Sequence, residues 1–139
     1  MDGIRHAGIF TLAAALLAGS GAALALESGQ SPDGAAYVMG GIGLDEVEAL
    51  GAQREHFSLW VRTALRGSGD YLADVQVLVT DAHGRAVFHR PLDGPWLLID
   101  LKPGRYDVQA TWHGARQAKS VTIPPRGHRE AIFYFDAAD

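Results

Sequence analysis

The sequence predicts an all-β sandwich of seven strands with one short N-terminal helix. Three observations support this. From His56 to the C-terminus, apolar and polar residues alternate with a period of two, the pattern of strands buried on one side. Turn signals built on Gly, Pro and Asp separate these runs about every 8 to 12 residues, the spacing of an antiparallel sandwich. No apolar residues at helical spacing interrupt them.

The N-terminus reads as a secretory signal peptide over residues 1–25. Arg5 lies in a short n-region offset by Asp2, an Ala/Leu-rich run follows from Ile9, and Ala23-Leu24-Ala25 supplies a small-x-small cleavage site. An uncleaved anchor is the rival reading. Gly19, Ser20 and Gly21 interrupt the apolar run, and Ala-rich segments insert poorly. Cleavage after Ala25 is expected, with no stable membrane insertion afterwards and a periplasmic or secreted location. The chain has no cysteine, so disulfides and thiolate metal sites are excluded and stability must come from an apolar core. The formal charge is −4 with no Lys/Arg cluster, which gives nucleic acid nothing to bind.

Residues 26–36, rich in Gly, Ser, Pro and acid, read as a flexible leader. In the N-terminal segment 37–55, Gly40-Gly41-Ile42-Gly43 breaks regular structure. A helix of about two turns then follows, with Leu44, Val47 and Leu50 as its docking stripe, Asp45 and Glu46 in its first turn and Gly51 as its stop. Too short to be stable alone, it must pack on something. The sandwich occupies 56–139. Its strands are expected over 56–65, 73–80, 86–90, 96–101, 105–112, 116–123 and 130–136. Lys102-Pro103-Gly104 reverses the chain between the fourth and fifth as a tight hairpin, since proline presets φ and glycine accepts positive φ.

Two stretches carry a family resemblance. Val75-Gln-Val-Leu-Val-Thr-Asp81-Ala-His-Gly84-Arg-Ala-Val87 and Leu101-Lys-Pro103-Gly104-Arg-Tyr106-Asp-Val108-Gln-Ala110 resemble the two characteristic hairpins of carboxypeptidase regulatory-like domains. The likeness spans about residues 56–136 and implies a transthyretin-like Greek-key sandwich. The chain also looks like small exported proteobacterial proteins that carry this domain alone, whose function is undefined. The stretches that match them are Tyr37 to Glu46, Gly69 to Val75 and Asp93 to Pro95. The metal ligands of metallocarboxypeptidases belong to a different domain, so the resemblance implies no reaction here.

Candidate chemistry is sparse. His56, His83, His89, His113 and His128 lack i,i+2 or i,i+4 partners, so neither a metal nor a cofactor is expected. Asp45, Glu46 and Glu48 suit the wet face of a helix better than a calcium loop. Gly67-Ser68-Gly69 reads as a hairpin loop rather than a nucleophile elbow. The Gly40–Gly43 run lacks the strand context and Lys-Ser/Thr end of a phosphate loop.

Outward-facing aromatic and apolar residues carry the sharper hypothesis. If Phe57, Leu59 and Val61 point inward, then Trp60 points out; if Leu97, Ile99 and Leu101 point inward, then Trp96 and Leu98 point out, and Tyr134 joins from the last strand. This set forms either a ligand platform or the docking surface of the N-terminal helix. The expected function is a non-catalytic envelope module that binds a protein or glycan partner. The alternatives are a small periplasmic hydrolase or metal-dependent enzyme, and a structural accessory subunit of an envelope complex.

Overall fold

The computed structural model describes residues 26–137, so the signal-peptide reading of residues 1–25 lies outside the described residues. The strands are β1 (Glu27–Gln30), β2 (Ala36–Gly40), β3 (Leu59–Leu65), β4 (Gln76–Asp81), β5 (Ala86–Pro91), β6 (Trp96–Ile99), β7 (Gly104–Trp112), β8 (Ala115–Ile123) and β9 (Arg129–Phe135). One helix, α1 (Leu44–Gln53), runs into a single 3-10 turn at Arg54–His56. No helix among the described residues is long and apolar enough to cross a membrane.

Two sheets form, of order β1-β2-β6-β3-β9 and β5-β4-β7-β8. The mostly β class and the two layers agree with the alternation in the sequence; the strand number does not. Nine strands replace seven, because the stretch read as a leader makes β1 and the start of the N-terminal segment makes β2, which pair antiparallel from Glu27↔Met39 to Gln30↔Ala36. Glu-Ser-Gly-Gln has no apolar alternation to betray it. Its edge position, with no residue fully buried, removes the need for one.

Two further expectations are corrected. β6 and β7 do not pair: Lys102-Pro103-Gly104 carries the chain from one sheet to the other. Both strands do bury an alternate face, Leu97 and Ile99 on one and Tyr106, Val108 and Ala110 on the other, but across the core from each other. A period of two fixes which face is buried and leaves the in-sheet neighbour open. For the same reason Gly67-Ser68-Gly69 is no hairpin loop, since it joins β3 to β4 in the opposite sheet. Nor is the sandwich wholly antiparallel, because β9 lies parallel to β3 from Leu59↔Arg129 to Leu65↔Phe135.

True hairpins link β4 to β5 and β7 to β8, where turn residues signal them. Gly84 has φ +79°, and His113 and Gly114 have φ +49° and +83°, matching a two-residue turn with both φ positive. Helix α1 extends through Gly51, the expected stop, to Gln53. Of its expected stripe only Leu50 is buried, while Leu44 is 71% and Val47 43% exposed. The Glu46 carboxylate accepts from the Gly41 and Ile42 amides, each at 3.0 Å, and so ties the glycine run to the helix start.

The main core holds Leu59, Val61, Leu97, Phe133 and Phe135 from one sheet against Val77, Val79, Tyr106 and Val108 from the other. Among them Thr63 is 1% exposed, and its hydroxyl has no hydrogen-bond partner. Thr63→Val should therefore raise stability by about 1 kcal/mol, measured by urea denaturation, since it removes an unsatisfied buried polar atom. Gly94 sits where a Cβ would run into the Gly40 carbonyl. Gly94→Ala should cost about 1–3 kcal/mol in the same assay, because backbone must move to admit it.

Candidate functional site

The outward aromatic set resolves into a covered patch and an outlier. Trp60, Leu98 and Val38 form one register row across β3, β6 and β2. Leu50 of α1 closes over Leu98 and Val38 to make a second small core, with Leu26, Phe57, Trp60 and Trp96 packed around it. Leu98 is buried and the two indoles are half-buried. Each indole already has partners. His128 stacks on Trp60 with centroids 3.5 Å apart, the Arg54 guanidinium lies 5.1 Å from the Trp60 centroid, and Arg62 lies 5.2 Å from that of Trp96. The Trp60 indole N–H donates to the carbonyls of Arg54 and Phe57 at 3.1 Å each. Tyr134 stays exposed on β9, where Gln117 donates to its backbone carbonyl. The structure thus unites Trp60, Trp96 and Leu98 as a docking surface for α1, and leaves Tyr134 apart.

A broad concavity lies elsewhere among the described residues. Five connections converge at one end of the sandwich: 31–35, 54–58, the β4–β5 turn, 100–103 and 124–127. Between them runs an open groove of about 820 Å³, within the range of small-ligand sites. Its apolar floor is Val87, Leu101 and Tyr106, where the two sheets part. Pro103, Pro124 and Pro125 stiffen the rim. Asp33, Glu55, Asp81 and Asp100 line it together with Arg85, Lys102 and His56.

The hydroxyls of the groove are already engaged. Ser58 Oγ accepts from the Leu101 amide and donates to the Leu101 carbonyl, both at 2.8 Å, and Tyr106 donates to the Lys102 carbonyl at 2.9 Å. Burial raises the Tyr106 phenol above its ordinary value, with the charges of Asp81 and Asp33 adding to the effect. Asp81 is held below its ordinary value, first by the Arg85 amide and then by the His83 amide, both donating to Oδ1 at 2.9 Å. It shapes the β4–β5 turn as an Asx-type cap.

The remaining sequence candidates fall apart from one another. His83 and His113 sit in different turns, His89 is exposed on β5, and His128 covers Trp60. Among the described residues no three His, Asp or Glu side chains are placed to hold a metal ion. Ser68 accepts from the Asp70 amide, and the Gly41 and Ile42 amides that a phosphate would need are taken by Glu46.

A second cluster of ionisable groups joins Glu27 of β1, Tyr37 of β2, Arg90 of β5 and Asp93 of the loop before β6. Arg90 donates to Glu27 at 2.7 Å and to the Tyr37 hydroxyl at 2.6 Å. Asp93 is raised above the ordinary range, first by a hydrogen bond shared with Glu27 and then by burial, while the same bond lowers Glu27.

Compared with known proteins, the chain matches no family model and no curated protein. Sequence reasoning missed the groove because its walls come from five turns far apart in the chain. The only local signals were the Pro-Gly and Pro-Pro pairs, which mark turns without saying that the turns meet.

The Asp81 geometry predicts a pH effect. Its folded value lies below the ordinary 3.8, so its contribution to stability is present above that value and lost as pH falls through the folded one. Asp81→Ala should lower Tm at neutral pH, and the gap from the parent protein should close in acid. A gap of constant size from pH 7 to pH 2 would refute this role.

Proposed function

We propose that this chain is a non-catalytic, exported β-sandwich module of the cell envelope that binds a polypeptide segment of a partner in the groove at its loop end. The observation that carries the reading is the groove itself: it is large, open and mixed in charge, and its serine and tyrosine hydroxyls are spent on backbone groups. A serine hydrolase needs a free hydroxyl beside a base, and here Ser58 is locked into Leu101 on both its donor and acceptor sides. A glycan site would favour flat aromatic faces open to solvent, whereas Trp60 and Trp96 carry His128, Arg54 and Arg62 on or near their rings. Charged groups above an apolar floor suit an extended peptide, with hydrogen bonds at the rim and side chains inside.

The finer fold, a transthyretin-like Greek key akin to carboxypeptidase regulatory-like domains, belongs to the same proposal. Two features support it: the Asp81–Gly84 turn with its left-handed glycine, and the Pro103-Gly104 connection leading into β7. Both stretches carry the family resemblance in the sequence.

The test pans the full chain against a displayed random dodecapeptide library and, in parallel, an array of envelope oligosaccharides. Peptide binders should lose at least about tenfold in affinity to Asp100→Lys, roughly 1.4 kcal/mol, and be indifferent to Tyr134→Ala. Binders indifferent to Asp100→Lys would remove the groove from the reading, and saccharide hits alone would replace the peptide. Turnover of chromogenic esters that Asp100→Lys abolishes would replace binding with catalysis.

A further inference from the structure

Two open sheets leave β1, β9, β5 and β8 as edges. An edge strand presents a row of unpaired amides and carbonyls, a template for another strand unless something interrupts it. On β1, β5 and β9 something does. β1 is only four residues long. The pairing of β5 with β4 shifts register between Val79 and Thr80, and β5 ends on Pro91. On β9 the Tyr134 carbonyl accepts from the side chains of Gln117 and Arg66, at 2.6 and 3.4 Å.

β8 is uninterrupted. It runs nine residues, Ala115–Ile123, with no proline and no break in its register with β7. The two-residue turn at His113-Gly114 makes Trp112 and Ala115 a hydrogen-bonded pair, so by alternation Gln117, Lys119, Val121 and Ile123 also bond to β7. The amides and carbonyls of Arg116, Ala118, Ser120 and Thr122 therefore point out of the sheet. Among the described residues no strand, turn or loop bonds to them.

The inner side of β8 determines what an added strand would meet. Gln117, Lys119 and Val121 stand opposite Ala110, Val108 and Tyr106, which are buried, so all six share the inner face. Val121 is half-buried and packs on the main core. The Lys119 ammonium lies 5.7 Å from the centre of the Phe133 ring and stays exposed. Among the described residues neither Lys119 nor Arg116 is in an ion pair, and β8 itself carries no acid. A second copy of β8 would set cations against cations, which disfavours self-pairing.

We propose that the β8 edge takes an extended acidic segment of a partner protein as an added strand, antiparallel to β8. The sheet it would join is antiparallel throughout. Read from its own N-terminus, the segment places an apolar side chain against Val121, a carboxylate against Lys119 and a polar side chain against Gln117. These are the non-hydrogen-bonded positions of the new pair, where facing side chains approach most closely. The surface is separate from the groove, goes beyond the reading above and does not depend on it.

To test this, the isotope-labelled full chain is titrated by NMR with two acetylated peptides of alternating threonine. One carries Val, Asp and Gln, in that order, at its inner positions, and the other has Lys in place of Asp. The first should bind with a Kd below about 1 mM and slow the exchange of the Arg116, Ala118, Ser120 and Thr122 amides. The second should bind at least about threefold more weakly, and Lys119→Glu should reverse that order. Ala118→Pro removes one outward amide without touching the ladder to β7, and should abolish binding in a chain that stays folded. Should that variant misfold, the reversal by Lys119→Glu decides alone. Peptides that disturb only groove residues such as Asp100 and Lys102 would overturn this inference and support the groove. Absence of saturable binding, or affinity indifferent to the charge at residue 119, overturns it as well and leaves the groove reading standing.

Discussion

The structure depends on the double burial of β6. Leu97 and Ile99 face the main core, while Leu98 between them is buried on the opposite face. A two-layer sandwich leaves one face of each sheet wet, so a leucine there costs free energy unless a third layer covers it. Helix α1 supplies that layer through Leu50, and Val38 and Trp60 flank Leu98 in the same row. The N-terminal quarter of the described chain is therefore structural. Its β1–β2 hairpin widens the sheet, its glycine run bends the chain, and its helix caps the exposed leucine.

Much of this was legible in the sequence, and what was not has identifiable causes. Alternation revealed the strands from Leu59 to Phe135, and the Asp81–Gly84 and His113-Gly114 turns announced the hairpins they make. The Pro103-Gly104 turn was legible as a reversal and misleading as a hairpin. A chain can reverse within a sheet or across the core with the same buried face, and local residues do not choose between the two. The parallel pairing of β9 with β3 left no trace either, because it joins segments about seventy residues apart. β1 was hidden by its polar sequence. For the outward aromatic set, the same alternation placed Leu98 on the outer face with Trp60 and Trp96, and was too coarse to separate Tyr134 from them.

The groove illustrates a different kind of illegibility. None of its acids is unusual in its own stretch: Asp81 belongs to a turn, Asp33 to a hairpin tip and Asp100 to the end of β6. They become neighbours only because the strands end at a common level and the sheets splay there, so that Tyr106 and Leu101 form a floor. Concavity of this kind belongs to topology. The residues that line it are chosen locally for turn formation, and their chemistry at the site is a second use of the same side chains.

The parallel seam between β3 and β9 also has a kinetic consequence. β3 precedes its outer neighbour β9 by about seventy residues, so one edge of β3 stays bare until that later stretch has been made. Contacts of such long sequence separation slow the search for the native state. A polypeptide whose early strand waits for a partner so far along the sequence remains threadable for longer, a property suited to any route that moves the chain before it folds.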